Sequence, residues 1–342
     1  MTNFKVSYAE RFNDRDYVEA VIRQWENGRQ LFTLSSSGST GKPKKIQLGR
    51  DMLIWSAEKT FAALDLHAVG QDQLSVFCCL PVQKTGGFMQ LIRALHFKWH
   101  IHFVPPTSNP NTQLANSPFI YGLLSFTPTQ LQTIIACDQV MLAPQATVLI
   151  GGSAISSAFE EELRCFALPS KIAFWETYGM TETASHIALR KVGIDAYFKL
   201  QPGVEVSLTT DQKLHIRIPD LDFSITTNDI AVLHSDGFAV LGRSDDVINS
   251  GGIKIHPSLI EPKITAILRT KGIKRRLYLG KKEDAKLGER AILVLEGTAL
   301  KDIPFLLEVL KRELPVYHNP KDILFVEEIA YTETGKVKRA RL

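Results

Sequence analysis

The sequence has few cysteines, and it lacks the long apolar runs that anchor proteins in membranes. Only four of its 342 residues are cysteines, and no two of them form a Cys-x-x-Cys pair, so neither a disulfide framework nor a zinc site is predicted. No segment approaches the roughly 20 apolar residues that cross a bilayer, and the N-terminal residues contain no apolar signal-peptide core. We therefore expect a cytoplasmic protein without membrane insertion, whose cysteines are reduced and buried.

A strong excess of one charge sign is also absent. Lysine and arginine number 40 against 36 aspartate and glutamate residues, which gives a net charge of +4. This mild basic excess suits an anionic small molecule, but it falls short of the dense basic surface of a nucleic-acid-binding protein, so no nucleic-acid partner is predicted. The hydrophobic share of 44% is ordinary for a globular chain, and 342 residues are enough for more than one domain. Nothing in the sequence indicates an oligomeric state.

Helical and strand-like patterns alternate in the first half of the chain. Apolar residues recur at helical spacing over 51–66, and the apolar run 74–80 that ends before Pro81 is typical of a buried strand. The alternation continues to the apolar segment 146–150, which predicts a mostly parallel sheet covered by helices. After Gly203 the apolar segments become short and alternating, which favours a smaller antiparallel sheet or barrel.

A polar, turn-prone stretch at 242–246 interrupts this second pattern. Beyond it the spacing predicts helices at 257–269 and 303–314 and strands at 277–280 and 291–296, enough for a small α+β domain. We therefore predict an α/β protein with two domains, a large N-terminal domain at 1–243 and a small, mobile C-terminal domain at 244–342.

A segment rich in serine, glycine and lysine at 35–45 indicates a site for phosphate. Gly38 and Gly41 allow the backbone to approach a ligand closely, while hydroxyl groups, amides and lysines supply donors and positive charge for a polyphosphate. The segment is not a Walker A loop, because only two residues separate Gly38 from Gly41 and Pro43 follows Lys42. The alternative is an exposed flexible linker, which such a composition often forms.

A second segment, at 175–186, combines groups that suit a nucleotide. Tyr178 offers a flat face for a base, Thr181 a hydroxyl for a phosphate, and Glu182 an oxygen ligand for magnesium. Each residue alone also has an ordinary structural explanation, namely a core tyrosine, a helix-capping threonine and a surface glutamate. Their position after a candidate phosphate loop favours the nucleotide interpretation.

Four motifs follow one another in a specific order along the chain. They read SSSGSTGKPK, YGMTE, GRSDDVINSGGIKIHPSLIE and TETGKVKR, and they span Ser36 to Arg339. In this order they resemble the adenylate-forming superfamily of acyl-CoA synthetases, luciferases and peptide-synthetase adenylation domains. The resemblance implies an enzyme that activates a carboxylic acid with ATP and Mg²⁺ and then transfers the acyl group to a thiol such as that of CoA.

The resemblance also implies roles for residues that bind the nucleotide. The β- and γ-phosphates would be held by Ser36, Ser37, Gly38, Ser39, Thr40, Gly41 and Lys44. Tyr178 would stack on the adenine, and the segment Gly151, Gly152 and Ser153 would line it, while Gly179 belongs to the same nucleotide-binding motif as Tyr178. Thr181 would contact the α-phosphate, Glu182 would bind magnesium, and Asp229 and Arg243 would bind the ribose, although Asn228 stands where the superfamily has glycine.

Further roles concern the chemistry and the movement of the small domain. Lys336 matches the superfamily's C-terminal lysine, and a lysine there stabilises the charge that builds up as two anions meet. Asp245 matches the hinge residue, about which the small domain would rotate. That rotation would bring Gly251, Gly252 and Lys254 towards the acyl group for attack by the thiol.

Two segments, 124–132 and 178–187, are similar to those of one group in the superfamily, the o-succinylbenzoate:CoA ligases of menaquinone biosynthesis. An aromatic dicarboxylate needs a pocket with apolar walls and a cation. The candidate pocket residues are Lys84, Thr127 and Arg190, and Lys84 replaces a histidine found in many relatives. Two alternatives stay open: a ligase for another acid or for a carrier-protein thiol, and a nucleotide-binding homologue without catalysis.

Overall fold

The computed structural model of the chain describes residues 4–36, 44–64, 66, 74–137, 142–331 and 337–339. By their internal contacts the residues divide into two units, and each is described by itself. Unit 1 comprises 1–205 with 218–223, and unit 2 comprises 206–217 with 224–342.

Unit 1 is built around a mostly parallel sheet. Its strands are β1 (Lys5–Tyr8), β2 (Leu31–Ser36), β3 (Lys44–Gly49), β4 (Ser75–Cys78), β5 (His100–Phe103), β6 (Leu123–Phe126), β7 (Thr147–Ile150), β8 (Ala173–Gly179), β9 (His186–Lys191) and β10 (Phe198–Leu200). The sheet order is β1-β5-β4-β6-β7-β8-β9-β10, parallel as far as β8 and antiparallel from β8 to β10. The strands β2 and β3 form a separate antiparallel pair.

Helices connect the parallel strands, as the alternating pattern predicted. They are α1 (Arg15–Glu26), α2 (Arg50–Ala63), α3 (Thr85–Phe97), α4 (Asn111–Ala115), α5 (Pro128–Ile135) and α6 (Ser157–Ser170). The central strands carry buried apolar residues on both faces, for example Phe77 and Phe126 on one face and Val76 and Leu123 on the other. A strand buried on both faces reads as a continuous apolar run, which is why these strands could be predicted.

Unit 2 contains two sheets. Its elements are β11 (Glu205–Leu208), β12 (Lys213–Ile218), β13 (Phe223–His234), β14 (Gly237–Arg243), β15 (Ile248–Ser250), β16 (Ile253–Ile255), α7 (Pro257–Thr270), β17 (Leu277–Asp284), β18 (Gly288–Glu296), α8 (Ile303–Glu313) and β19 (Asp322–Val326). The first sheet has the order β14-β13-β12-β11, and the second has β16-β15-β18-β17 with β19 parallel to β18. Apolar residues of α7 and α8, among them Ile264 and Leu310, share one core with Leu279 and Leu293 of the second sheet.

The predicted α/β class with a mostly parallel sheet and smaller antiparallel sheets is confirmed. The two units are defined by the contacts within each of them, and the chain first passes from one to the other between residues 205 and 206. The predicted boundary after Arg243 instead concerns the rotation of the small C-terminal domain, and it stays a prediction. Cys78 and Cys79 are buried, but Cys137 is only half-buried and Cys165 is exposed, so the expectation of four buried thiols was wrong. None of the helices in the described ranges is long and apolar enough to cross a bilayer.

Candidate active site

The strands β2 and β3 carry the two described ends of the predicted phosphate loop. They pair in antiparallel register, with Ser36 opposite Lys44. Phe32 of β2 is buried and contacts the rings of Trp25 and Phe88, so the hairpin is anchored in the core of unit 1. The remaining predicted phosphate-binding residues, Ser37, Gly38, Ser39, Thr40 and Gly41, lie outside the described residues.

The second motif forms a tight turn where β8 ends. A single 3₁₀ turn at Thr181–Thr183 follows the strand. The Thr183 hydroxyl accepts a hydrogen bond from the Met180 amide at 3.1 Å and donates one to the Ser185 carbonyl at 2.7 Å. A Cβ atom on Gly179 would lie 2.0 Å from the Ser185 carbonyl oxygen, so no other residue fits there. The strand β3 packs against this turn, which brings the phosphate hairpin and the second motif together.

The Thr181 hydroxyl has a partner that the sequence did not reveal. It lies 2.8 Å from the hydroxyl of Thr85, the first residue of α3. This contact fixes the orientation of a side chain that the superfamily resemblance assigns to the α-phosphate. The two threonines are 96 positions apart, and only the fold brings them together.

The predicted adenine segment and Tyr178 lie at the carboxyl ends of two strands of the sheet. Because β7 and β8 are neighbouring parallel strands, these ends lie side by side, and ligands of such sheets bind there. Gly151 follows β7 directly and its amide donates to the Phe126 carbonyl at 3.0 Å. The Glu176 carboxylate accepts the Ile155 amide at 3.0 Å, which ties the far end of the segment to β8.

In unit 2 the two predicted ribose residues are cross-strand partners. Asp229 of β13 stands opposite Arg243 of β14, and the Arg243 Nη1 atom donates to the Asp229 carboxylate at 3.4 Å. The Arg243 Nη2 atom donates to Asp245, the predicted hinge residue, at 2.7 Å. Asn228, which replaces the expected glycine, donates to the same Asp245 carboxylate at 3.4 Å. Burial would lower the Arg243 pKa, but the acidic partners outweigh it and hold that pKa above its usual value.

The predicted thiol-transfer residues form the connection between β15 and β16. Gly251 and Gly252 both have positive φ angles, of 60° and 84°, as a two-residue type I′ turn requires. Lys254 follows on β16, opposite Asn249 in the strand pair.

Lys336 lies outside the described residues, but the chain on either side of it is held in place. Tyr331 and Val337 form an isolated antiparallel bridge. Arg339 forms ion pairs with both carboxylate oxygens of Glu261, and its Nε atom lies 3.7 Å from a carboxylate oxygen of Asp246. Arg339, three residues after the predicted catalytic lysine, is therefore fixed to α7 and to the residue after the predicted hinge.

The sequence pattern of the AMP-binding enzyme family matches residues 12–216, well over half of the chain. The chain belongs to the AMP-binding enzyme family. The superfamily resemblance carried by the four motifs is thereby confirmed.

Three relatives illustrate the match. The 2-succinylbenzoate–CoA ligase of Listeria monocytogenes serotype 4b (strain F2365) is 28% identical over 98% of this chain and 74% of its own length. An acyl-CoA synthetase (AMP-forming)/AMP-acid ligase II-like protein from Dyadobacter fermentans DSM 18053 is 30% identical, with a TM-score of 0.62 over 96% of this chain and 93% of that one. The o-succinylbenzoate coenzyme A synthetase of Bacillus subtilis, solved with ATP and a magnesium ion, has a TM-score of 0.73 at 20% identity over 90% of this chain and 68% of that one, which shows a shared fold.

In this protein, Arg190 forms ion pairs with two glutamates. Its guanidinium donates to Glu176 at 2.8 and 2.9 Å and to Glu160 at 2.9 Å from two nitrogens, so all three nitrogens have protein acceptors. Burial alone would lower the Arg190 pKa, but the two carboxylates outweigh it and raise that pKa above its usual value. Because its donors are used in this network, we do not propose Arg190 as the cation that binds the acid.

The other two candidate pocket residues lie at helix starts. The Thr127 hydroxyl accepts the Gln130 amide at 3.3 Å and the Thr127 amide donates to the Gln130 side chain at 2.9 Å, a capping box that begins α5. Lys84 is half-buried and directly precedes α3.

A buried polar cluster lies beside the second motif. The His186 ring, 3% exposed, lies 3.0 Å from the Thr60 hydroxyl and 3.2 Å from the Ser185 hydroxyl. Arg93, also 3% exposed, donates to both of these hydroxyls, at 3.2 and 3.0 Å. Burial, and then the charge of Arg93, holds the His186 pKa well below its usual range, so the ring is neutral in the folded protein.

We predict that this histidine makes the fold sensitive to acid. In the unfolded chain His186 binds a proton near pH 6.5, whereas in the folded chain it stays neutral, so the free energy of unfolding decreases as the pH falls below about 6.5. One proton corresponds to about 1.4 kcal/mol per pH unit. Urea denaturation between pH 7.5 and 5 will show a flatter pH dependence for His186→Gln, while His234→Gln, at an exposed position, serves as the matched control. Equal slopes in all three proteins would contradict this assignment.

Proposed function

We propose that the protein is an o-succinylbenzoate:CoA ligase. It adenylates the acid with Mg-ATP, releases pyrophosphate, and then transfers the acyl group to CoA with release of AMP. The observation that carries the proposal is the match to a 2-succinylbenzoate–CoA ligase along 98% of the chain. The geometry supports it, because the adenine segment, Tyr178 and the Thr181–Thr183 turn lie at one end of the parallel sheet, against the phosphate hairpin. Since ATP and CoA are cytoplasmic co-substrates, we place the reaction in the cytoplasm.

The first half-reaction needs the nucleotide to be oriented and its charge to be neutralised. In our proposal Tyr178 stacks on adenine, Gly151–Ser153 line its edge, and the loop between β2 and β3 donates to the β- and γ-phosphates. Asp229 and Arg243 bind the ribose hydroxyls. Glu182, half-buried and next in sequence to Thr181, would supply the hard oxygen ligands that Mg²⁺ prefers, and bound magnesium would neutralise phosphate charge.

The chemical step joins two anions, the acid's carboxylate and the α-phosphate. Thr181, oriented by Thr85, donates to the α-phosphate, and the Lys336 ammonium stabilises the charge that concentrates between the two groups. The carboxylate oxygen attacks the α-phosphorus, and the bond to pyrophosphate breaks. The acyl-adenylate is a far better electrophile than the free acid, so a thiol can displace AMP in the second half-reaction. In that step the small domain turns at Asp245 and presents the Gly251–Gly252 turn and Lys254.

Pyrophosphate release tests this function. We expect o-succinylbenzoate, ATP and Mg²⁺ to give about one pyrophosphate per active site without CoA, and continuous release of pyrophosphate and AMP once CoA is added. The measurement is a coupled pyrophosphate assay over a panel of acids, with the CoA thioester identified by mass spectrometry. Strong turnover of benzoate or a fatty acid, together with none of o-succinylbenzoate, would overturn the proposal.

A ligase for another acid is the second candidate. It is motivated by the 30% identical relative from Dyadobacter fermentans, whose description specifies no particular acid. The same acid panel separates the two candidates. Replacing CoA by a phosphopantetheinylated carrier protein in the second step identifies the thiol acceptor.

A further inference from the structure

A cleft of about 390 Å³ opens in unit 1 beside the strands β8, β9 and β10. Pockets that hold small molecules in proteins have volumes of about 300–1,000 Å³, so the cleft is large enough for a compact ligand. Its lining combines apolar residues, among them Leu189 and Pro202, with Trp175, Lys191 and Gln201. None of its described lining residues belongs to the four motifs on which the proposed function depends.

The register of the three strands explains why these residues meet. Trp175 stands opposite Lys191, and Leu189 stands opposite Lys199. Because side chains alternate along a strand, these four residues project from one face of the sheet. Tyr178, three residues after Trp175, projects from the other face about 10 Å further along β8. The cleft is therefore separate from the proposed adenine site.

Lys191 is the cation of the cleft that lacks a carboxylate partner. One carboxylate oxygen of Asp195 forms an ion pair with the Lys199 ammonium at 3.0 Å, and the other accepts a hydrogen bond from the Lys191 backbone amide at 2.8 Å. The Lys191 ammonium lies 5.5 Å from the centre of the Trp175 ring, and within the described ranges it forms no ion pair. The Lys199–Asp195 pair is neutral, so the cleft carries the single positive charge of Lys191.

Two buried polar groups that line the cleft have no hydrogen-bond partner. Gln201 is 2% exposed, and neither its Nε2 nor its Oε1 atom forms a hydrogen bond. The buried Nε1 atom of Trp175 also lacks an acceptor. By contrast Gln130, a buried glutamine of α5, donates to the Thr107 carbonyl at 2.7 Å and accepts from the Thr127 amide at 2.9 Å. Since most buried polar groups are paired, unpaired groups at a cleft indicate a ligand.

The chemistry of these groups defines the class of that ligand. An unpaired ammonium attracts an anion, and a single positive charge matches one carboxylate better than a polyphosphate. The amide and indole N–H groups can donate further hydrogen bonds to carboxylate oxygens. The indole ring and the apolar wall offer contacts to a flat, apolar body, because aromatic rings pack well against one another.

We propose that this cleft is an accessory binding site for a small aromatic carboxylate. Lys191 pairs with the carboxylate, Gln201 and the Trp175 indole supply hydrogen bonds, and Leu189 and Pro202 contact the ring. The inference does not depend on the proposed function, because the site uses other residues and lies on another face of β8.

The indole resonances of the protein test the site. The probe is 1-naphthoate, a flat carboxylate, and its uncharged amide 1-naphthamide is the matched control compound. The chain has four tryptophans, so Trp175→Phe assigns the Trp175 signal in a ¹⁵N-indole NMR spectrum. We expect 1-naphthoate to shift this signal on titration. 1-Naphthamide should bind about tenfold more weakly, because it cannot form the charge-assisted contact with Lys191.

Two variants identify the groups that bind the probe. Lys191→Met removes the ammonium, so it should weaken 1-naphthoate about tenfold and leave 1-naphthamide unchanged. Lys171→Met, at an exposed lysine that does not line the cleft, is the matched control. Gln201→Leu removes an amide without partners, so it should melt at the wild-type temperature or above it. 1-Naphthoate should then raise the melting temperature of the wild type more than that of Gln201→Leu.

Three results would overturn the inference. A Trp175 signal that does not move means that the probe does not enter the cleft, even if it binds elsewhere in the protein. Equal affinities for 1-naphthoate and 1-naphthamide, or for the wild type and Lys191→Met, mean that the cleft has no carboxylate site. A Gln201→Leu variant that melts well below the wild type means that Gln201 is structural. Each result leaves the proposed function untouched, because pyrophosphate release tests that function separately.

Discussion

Replacing Lys336 by alanine is expected to slow adenylation of the acid by about 100- to 1000-fold, the usual cost of removing one group that stabilises developing charge. The Lys336 ammonium is the cation assigned to the point where the carboxylate and the α-phosphate meet. Lys338→Ala is the matched control, because Lys338 is an exposed lysine two residues further on whose backbone amide bonds to the Ala330 carbonyl. The measurement is the single-turnover rate of pyrophosphate release without CoA.

The same variant distinguishes the two half-reactions. If Lys336 acts only in adenylation, Lys336→Ala supplied with chemically synthesised acyl-adenylate and CoA should form the thioester at close to the wild-type rate. A loss in both steps would show that the substitution disturbs the small domain as a whole, since Arg339 fixes the adjoining chain to Glu261 and Asp246. Unchanged adenylation would instead show that Lys336 is not the catalytic cation, whereas a wild type without any adenylation would favour a nucleotide-binding homologue without catalysis.

The parts of the site that could be predicted are those whose chemistry is contained in one short segment. The 3₁₀ turn after β8 needs a glycine at 179 for steric reasons, and its threonine and glutamate stand beside it, so the motif is visible in the sequence. The parallel sheet was visible for a similar reason, because strands such as β6 and β7 are buried along their whole length. The helix α1 was predictable as well, because its buried residues Val18, Val21 and Trp25 stand at helical spacing.

Contacts between distant segments could not be predicted. Thr85 and Thr181 meet only because α3 begins beside the turn after β8, and no local pattern marks either residue as the partner of the other. The sequence makes Arg190 a candidate cation for the acid pocket, whereas the fold surrounds it with Glu160 and Glu176 from other elements. Arg93 stands among mostly apolar residues of α3, but the pattern does not reveal the Thr60 and Ser185 hydroxyls to which it donates.

Replacing Arg190 by methionine is expected to lower the free energy of unfolding by about 3–5 kcal/mol, because it leaves a buried carboxylate without its counter-ion. The side chain of Glu176 is 5% exposed and that of Arg190 13% exposed, so water cannot replace the guanidinium. Urea denaturation at neutral pH gives the measurement. Arg164→Met is the matched control, because it removes an exposed ion pair on α6 and should leave the denaturation midpoint unchanged.

The double variant Arg190→Met, Glu176→Gln identifies the cause of that loss. Glutamine at 176 carries no charge and can still accept the Ile155 amide, so the double variant should be more stable than Arg190→Met alone. It should also retain ATP binding better, since the Ile155 contact ties the adenine segment to β8. A stable Arg190→Met that loses activity only towards dicarboxylates would contradict this structural role, because Arg190 would then be a cation that binds the acid.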